Sequence, residues 1–277
     1  MRRIFYAVPL KGRMPHWQVA NLLDISRTRF NGCSVSVRIL EGAPVNQARN
    51  ELVQHARDEK FDELVFTDAD LAITPKHLDQ ILTHDVPVVC GLYGHRCFTP
   101  TLFHVEPFDR ALGVRADGLM RVRQSAIGFS KIKLGVFDQL QERNPDRCGR
   151  LTDRAGGTKR VWEFFPFELV GPNTPAARLK AIETLLEGGD ADLISKIRDA
   201  VSTQYLEENT HMSEDYNFCR LCHEAGIEVY LDIKLIVQHA SEEMLPIPTA
   251  ALVDALDEPW RQSELAIIRR KDQGPKP

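Results

Sequence analysis

The stretch Glu63-Leu64-Val65-Phe66-Thr67-Asp68-Ala69-Asp70-Leu71 decides the fold of this chain. Its apolar run from Leu64 to Phe66 has the length and composition of a buried parallel strand. In an open α/β sheet, ligands bind in the crevice at the carboxyl ends of the strands. If the strand geometry persists, Asp68 and Asp70 project to the same side just beyond such an end. The stretch therefore predicts a ligand site at this edge of a sheet.

The carboxylates of Asp68 and Asp70 permit two interpretations. Carboxylate oxygens are hard ligands that suit Mg²⁺ or Mn²⁺ carrying a diphosphate group. Two acids one residue apart also occur often in solvated surface turns, where they bind nothing. The buried strand immediately before them favours the metal site, because ligands bind at strand ends in a parallel sheet.

The composition of the 277-residue chain is that of a globular protein. A hydrophobic fraction of 43% is enough for a sizeable core, and the net charge of −4 is unlike the basic surface of a dedicated nucleic-acid binder. The six cysteines are scattered rather than arranged as a disulfide framework. Without a convincing signal sequence or an apolar run of about 18 residues, we expect a cytoplasmic protein with reduced thiols and no transmembrane segment.

Segments on both sides of the central stretch alternate between strand and helix patterns. Strands are predicted at residues 4–8, 35–39, 64–66 and 86–92, and helices at residues 16–30, 45–60 and 74–82. Thr74 is the predicted N-cap of the third helix, with Pro75 at its first position. This alternation predicts an α/β fold with a mostly parallel, Rossmann-like sheet and helices on both faces.

The pattern changes after the fourth strand. We expect short strands at residues 102–105, 119–122, 229–231 and 235–237, helices at residues 136–142 and 214–225, and a mobile loop at residues 147–159. Two helical patterns at about residues 172–206 suggest an insertion. The predicted organisation is one domain over residues 1–240, followed by a C-terminal helix and polar tail over residues 241–277.

Two acids follow a helix-start signal late in the chain. Ser213 is a plausible N-cap, which places Glu214 and Asp215 in the first helical turn. Acids at this position often only stabilise the helix dipole. Alternatively, one of the carboxylates is a general base that deprotonates an incoming hydroxyl.

Two histidines also need to be weighed. His239 follows the last predicted strand and would complete a metal shell suited to Mn²⁺ if the fold brought it to Asp68 and Asp70. The run Cys219-Arg220-Leu221-Cys222-His223 matches the c-type haem attachment pattern, but it falls inside a predicted helix. We interpret its two cysteines as semi-buried thiols rather than as a haem or zinc site.

Together these motifs resemble the GT-A nucleotide-sugar glycosyltransferases, particularly the family-2-like members. The resemblance rests on the order of the Asp68-Ala69-Asp70 motif, the acidic helix start at Glu214-Asp215, and His239. It also includes Gln124-Ser125-Ala126-Ile127-Gly128-Phe129, similar to a Gly-Phe segment between the two acidic motifs, and Ala48-Arg49-Asn50 on the second helix. The likeness covers roughly residues 3–239 and leaves out the helical insertion.

The resemblance implies a role for each matching residue. Asp68 and Asp70 would bind Mn²⁺ or Mg²⁺ and the diphosphate of the nucleotide sugar, with His239 as a further metal ligand. Asp215 would be the catalytic base, and Glu214 would orient it or hold the acceptor. The other implied nucleotide-sugar-binding residues are Pro9, Arg49 and Gly128, the last allowing close approach of donor or acceptor.

The resulting expectation is a metal-dependent, inverting glycosyltransferase that uses a UDP- or GDP-linked donor and an unknown acceptor hydroxyl. Three alternatives stay open: a retaining transferase on the same fold, a nucleotide-sugar-binding module without turnover, and a hydrolase of the nucleotide sugar. The patterns leave the oligomeric state open.

Overall fold

The computed structural model describes residues 1–93, 105–107, 114–152, 157–170 and 210–239. In these ranges the helices are α1 (His16–Arg27), α2 (Val45–Asp58), α3 (Pro75–Leu82), α4 (Leu134–Arg143) and α5 (Glu214–Glu224). The strands are β1 (Arg2–Leu10), β2 (Cys33–Glu41), β3 (Glu63–Thr67), β4 (Val88–Leu92), β5 (Val105–Pro107), β6 (Leu119–Ser125), β7 (Phe129–Lys133), β8 (Cys148–Thr152), β9 (Thr158–Trp162), β10 (Glu168–Val170), β11 (Thr210–Met212) and β12 (Val229–Ile236). None of these helices is long and apolar enough to cross a membrane.

The central sheet has eight strands in the order β2-β1-β3-β7-β4-β12-β6-β5. β1 runs parallel to β2 and β3, and β4 runs parallel to β12. β7 lies antiparallel between β3 and β4, and β6 is antiparallel to both β12 and β5. All strands except β6 and β7 therefore point the same way, and the predicted α/β fold with a mostly parallel sheet is confirmed.

Helices cover both faces of this sheet, as the sequence predicts. On one face, α2, α4 and α5 bury apolar side chains such as Leu52, Phe137 and Phe218 against the strands. On the other face, α1 and α3 do the same with Ile25 and Leu78. Because the sheet is buried on both sides, a strand such as β3 reads as a continuous apolar run rather than an alternating one.

The predicted helix boundaries at α3 and α5 are confirmed. α3 begins at Pro75, and the Thr74 N–H donates to His77 Nδ1 at 3.2 Å. Ser213 caps α5, since its hydroxyl accepts the Tyr216 N–H at 3.5 Å. Gly226 follows α5 with a φ of +76°, the left-handed conformation that favours glycine after a helix.

Strand β7 is the main element that the sequence patterns do not predict. Two of its central residues, Ser130 and Lys131, are polar but fully buried, so the segment lacks the apolar run of its neighbours. The Lys131 ammonium lies 3.3 Å from Glu63 Oε1 and also donates to the His84 carbonyl. Arg2 lies 3.2 Å from the other oxygen of Glu63. A buried ion pair therefore replaces apolar packing at this point of the sheet.

The predicted mobile loop at residues 147–159 is wrong. β8 and β9 form an antiparallel hairpin in which Cys148 pairs with Trp162 and Thr152 with Thr158. The alternation of Arg150 and Thr152 with their neighbours is a strand pattern that the glycines of this segment obscured. The two short strands predicted at residues 229–231 and 235–237 are one strand, β12, with an irregularity between Asp232 and Ile236.

Other predictions fall wholly or partly on residues that the structure does not describe. These are the start of the strand at residues 102–105, the helical insertion at residues 172–206 and the tail at residues 241–277. β10 and β11 pair antiparallel, with Val170 opposite Thr210. Residues 170 and 210, where one described range ends and the next begins, are therefore adjacent.

Replacing Lys131 by Met should lower the free energy of unfolding by about 3 kcal/mol, because Glu63 stays buried with only Arg2 to offset its charge. The double variant Lys131→Met, Glu63→Gln should recover part of this loss, since no uncompensated charge remains. Urea unfolding at pH 7 measures both variants. Equal losses in the single and double variants would contradict an electrostatic cause.

Candidate functional site

The carboxyl end of β3 lies beside the start of β7 at one edge of the sheet. Thr67 pairs with Phe129, and the Asp68 N–H donates to the Gly128 carbonyl at 2.7 Å. The chain after β12 joins the same edge, because His239 forms an isolated bridge with Leu71. Asp68, Gly128 and His239 therefore lie at the strand-end edge that the sequence predicts as the ligand site.

Arg49 of α2 holds three carboxylates at this edge. Its side chain is only 1% exposed, and its Nη2 donates to Asp68 Oδ1 at 2.9 Å. Its Nη1 donates to Glu214 Oε1 at 2.9 Å and to Asp215 Oδ1. We call Arg49, Asp68, Glu214 and Asp215 the carboxylate cluster. Arg49 thus directs its hydrogen bonds to protein acids, whereas the family resemblance implies a position on the nucleotide side.

The electrostatics of the cluster keep Arg49 charged. Burial alone would lower the pKa of the guanidinium, but the charges of Asp215, Asp68 and Glu214 outweigh burial and raise the pKa above its ordinary value. One permanent positive charge therefore faces three acids.

The pKa of Asp215 also departs from its ordinary value. It is raised to about 6, first by burial and then by the charges of Glu214 and Asp68, while Arg49 and the Ile127 N–H oppose the rise. The Ile127 N–H donates to Asp215 Oδ2 at 3.2 Å, so both carboxylate oxygens are held in place. A fixed carboxylate with a pKa close to neutral has the properties of a general base.

Gly128 lies where another residue would collide with the cluster. A Cβ atom at this position would be 2.4 Å from Asp68 Oδ2 and 2.4 Å from the Tyr93 hydroxyl oxygen. The Gly128 N–H donates to that hydroxyl at 2.7 Å. The sequence predicts a close approach at Gly128, and the structure shows one between protein groups. Approach of a donor sugar or acceptor remains a prediction.

The two aspartates of the central motif face different partners. β3 ends at Thr67, and a turn follows in which the Leu71 N–H donates to the Asp68 carbonyl at 3.1 Å. The strand geometry assumed in the sequence analysis therefore does not persist. Asp68 is bound to Arg49, whereas Asp70 Oδ2 lies 3.8 Å from Nδ1 of His239.

The predicted metal ligands Asp68, Asp70 and His239 do not form one ligand set. Among the residues that the structure describes, no group of three or more His, Cys, Asp or Glu side chains is arranged to hold a metal ion. The side chains of Asp70 and His239 lie together and are 35% and 19% exposed. The Asp68 side chain is bonded to Arg49 instead.

Two further residues complete the description of the predicted and missed positions. Pro9 is buried near the end of β1, opposite Leu40 of β2. Tyr93, which no motif marked, joins the two halves of the site: its hydroxyl contacts Gly128 and its ring lies 5.3 Å from the ring of His239. Its position directly after β4, at a strand end, was the available signal.

Two asparagines attach an aromatic segment next to the cluster. Asn50, which follows Arg49, accepts the Phe164 N–H at 2.9 Å and the Phe165 N–H at 3.2 Å. Asn217 of α5 donates to the Pro166 carbonyl at 2.9 Å and to the Met212 carbonyl at 3.0 Å. Helices α2 and α5 are therefore linked by the same short segment that adjoins the acids.

The cysteines of the haem-like pattern are buried in the core. Cys219 and Cys222 are both 0% exposed and free, and burial raises the pKa of each thiol well above its ordinary value. These properties support the interpretation of structural thiols.

Comparison with known proteins gives little information about this chain. No family model matches it, and no curated protein is significantly similar. Among solved structures, A197 from STIV is 20% identical, with a TM-score of 0.34 over 50% of this chain and 68% of that one. The 4-diphosphocytidyl-2C-methyl-D-erythritol synthase from Anaerococcus prevotii is 11% identical, with a TM-score of 0.33 over 56% of this chain and 80% of that one. Likenesses this slight do not bear on function.

Gly128→Ala should displace Asp68 from Arg49 and lower the free energy of unfolding by about 1–3 kcal/mol, because the added methyl group overpacks a rigid site. Gly135→Ala is the matched control, since nothing lies within 4 Å of a Cβ there and alanine favours the helix. Chemical denaturation of both variants measures the difference. Equal stability of the two variants would contradict the prediction, because it would show that Asp68 and Tyr93 move away from the added methyl group without a cost in free energy.

Asp215→Asn should raise the unfolding temperature at pH 8, with a smaller gain at pH 5. The folded pKa of about 6 lies above the ordinary value of 3.8. Above pH 6 the buried charge of Asp215 therefore lowers the free energy of unfolding. Between pH 6 and pH 3.8 the folded protein takes up a proton that the unfolded chain does not bind, so this cost decreases progressively and is lost only below pH 3.8. Asp138→Asn, which removes an exposed ion pair with Arg57, is the control and should change stability by less than about 0.5 kcal/mol. Calorimetry at both pH values would contradict the assignment if Asp215→Asn lowered stability at pH 8.

Proposed function

We propose that this protein is a glycosyltransferase that moves a sugar from a nucleoside-diphosphate sugar to an acceptor hydroxyl. The observation that carries the proposal is the geometry of Asp215, whose two oxygens are held by Arg49 and by the Ile127 N–H at the carboxyl edge of the sheet. The order of the acidic motifs in the sequence, which resembles that of the GT-A transferases, supports this reaction class.

Asp215 would accept the proton of the acceptor hydroxyl as that oxygen attacks the anomeric carbon. Fixed orientation and a pKa of about 6 suit this role, because the carboxylate is ionised at neutral pH yet still basic enough to take the proton. Glu214 shares Nη1 of Arg49 with Asp215 and would orient it or hold the acceptor. Direct attack inverts the anomeric configuration. If NMR of the product showed that the configuration is retained, the retaining alternative would be favoured.

The donor set of Asp70 and His239 fits Mn²⁺ or Mg²⁺ as part of a site that diphosphate oxygens complete. A carboxylate and an imidazole are ligands that Mn²⁺ accepts, and such ions often use few protein ligands when they carry a diphosphate. Asp70 Oδ2 and His239 Nδ1, which lie 3.8 Å apart, would hold the cation. A bound cation would offset the charge that develops on the leaving diphosphate.

The remaining nucleotide-sugar contacts are proposed from position. Asp68 and Gly128, which are hydrogen-bonded to each other at the strand-end edge, would contact the diphosphate or the sugar of the donor. Pro9 is at the end of β1 on the same sheet, and Arg49 would act on the donor through Asp68, because its own donors are bonded to protein acids.

A non-catalytic nucleotide-sugar-binding module is the main alternative from a different class. In that case the acids at the start of α5 would only stabilise the helix, and Asp215 would have no part in turnover. Hydrolysis of the nucleotide sugar is the other alternative, and it would release free sugar when no acceptor is present.

Calorimetric titration of UDP and GDP into the full chain, with and without Mn²⁺, tests the site. One nucleotide should bind, only with Mn²⁺, and Asp70→Ala should abolish that binding. Asp215→Asn should bind the nucleotide as the native protein does but lose about 10²- to 10⁴-fold in turnover of the matching nucleotide sugar, as expected for a lost general base. Asp138→Asn, far from the site on the surface, should match the native protein in both assays.

The outcomes separate the alternatives. Binding of neither nucleotide would overturn the proposed function. Binding with no loss of turnover in Asp215→Asn would favour a retaining mechanism or another base, and binding without any turnover would favour the non-catalytic module.

A further inference from the structure

Tyr93 contacts both halves of the site. It follows β4 directly and is only 6% exposed. Its hydroxyl oxygen accepts the Gly128 N–H at 2.7 Å, and its ring lies edge-on to the imidazole of His239, with centroids 5.3 Å apart and an interplanar angle of 81°. One side chain therefore touches the peptide next to Asp68 and the imidazole next to Asp70.

The hydroxyl of Tyr93 fixes a backbone segment that contacts the carboxylate cluster twice. The Gly128 peptide unit is held at its N–H by Tyr93, and the Gly128 carbonyl accepts the Asp68 N–H at 2.7 Å. The preceding residue, Ile127, donates its own N–H to Asp215 at 3.2 Å. A shift of this segment would therefore move the donors that orient Asp68 and Asp215 together.

The ring of Tyr93 fixes the other half of the site. An edge-to-face arrangement is a preferred geometry for two aromatic rings, so the contact restricts rotation of the imidazole. The backbone of His239 is already placed by its bridge to Leu71. With both restraints, Nδ1 of His239 points to Asp70.

We propose that Tyr93 is a positioning residue that sets the spacing between the carboxylate cluster and the Asp70–His239 pair. The inference rests on the proposed function, which assigns the base to the first group and the metal and diphosphate to the second. Burial, together with the negative charges of Asp68 and Asp215, raises the pKa of the phenol well above its ordinary value. Tyr93 therefore acts as a neutral hydrogen-bonding group rather than as a base.

Two substitutions separate the hydroxyl from the ring. Tyr93→Phe keeps the ring contact with His239 and loses the bond to Gly128, whereas Tyr93→Leu loses both. Tyr6→Phe is the matched control, because Tyr6 is a buried tyrosine whose hydroxyl accepts from Thr67 Oγ1 at 2.7 Å and has no part in the proposed site.

Kinetics and calorimetry use the full chain with whichever of UDP and GDP, and its matching nucleotide sugar, the native protein accepts. Tyr93→Phe should lower kcat about 5- to 10-fold, the effect of one lost hydrogen bond, and leave Mn²⁺-dependent nucleotide binding unchanged. Tyr93→Leu should also weaken Mn²⁺-dependent binding about tenfold, because His239 loses its orientation. Tyr6→Phe should change neither quantity. Native kcat in Tyr93→Phe, or equal effects of Tyr93→Phe and Tyr6→Phe on turnover, would overturn the proposal.

A second measurement does not depend on the proposed function. The ring-proton resonances of His239, assigned with His239→Gln, should shift in Tyr93→Leu and stay in place in Tyr93→Phe, and the Gly128 amide should exchange faster in both variants. Unchanged His239 resonances in Tyr93→Leu would overturn the positioning role even if nucleotides bind. If the native protein bound neither nucleotide, the proposed function would fail while these spectra still decided whether Tyr93 links the two halves.

Discussion

One guanidinium holds three carboxylates together at the carboxyl edge of the sheet, and the candidate site depends on this interaction. Without Arg49, the acids Asp68, Glu214 and Asp215 would repel one another in a partly buried space. The planar fork of arginine presents several donors at fixed angles, which a lysine ammonium cannot do. Burial of Asp215, aided by the charges of Glu214 and Asp68, outweighs the attraction of Arg49, so the pKa of Asp215 rises rather than falls.

The rest of the domain keeps that guanidinium in place. α2 presents Leu52, Val53 and Ala56 to the core, and this buried face directs Arg49 toward the strand ends. The guanidinium also lies over the ring of Phe66, the side chain just before the end of β3. Asn50 then ties the adjoining aromatic segment to the same helix. The packing of α2 therefore holds two parts of the site in place: the guanidinium of Arg49 and the aromatic segment bonded to Asn50.

Strands whose buried residues are mainly apolar could be predicted from the sequence, whereas a strand that buries polar groups could not. β3 and β4 are recognisable as strands because each contains a short apolar run, and the acids at the start of α5 follow a recognisable cap. β7 was not predicted because Lys131 is buried against Glu63, and this ion pair links residues that are far apart in the chain. The contact of Arg49 with the acids was not predictable for the same reason. The spacing of Asp68 and Asp70 suggested a shared direction, but only the turn after Thr67 decides where each carboxylate points.

The pairing of β10 with β11 has a consequence for how the chain tolerates change. Because Val170 and Thr210 are opposite each other in an antiparallel ladder, their backbones are as close as the two ends of a hairpin. A two-residue turn such as Asn-Gly could join them without stretching either strand. Because β10 and β11 form a two-stranded sheet of their own, the pairing of residue 170 with residue 210 does not fix the length of the chain that joins them.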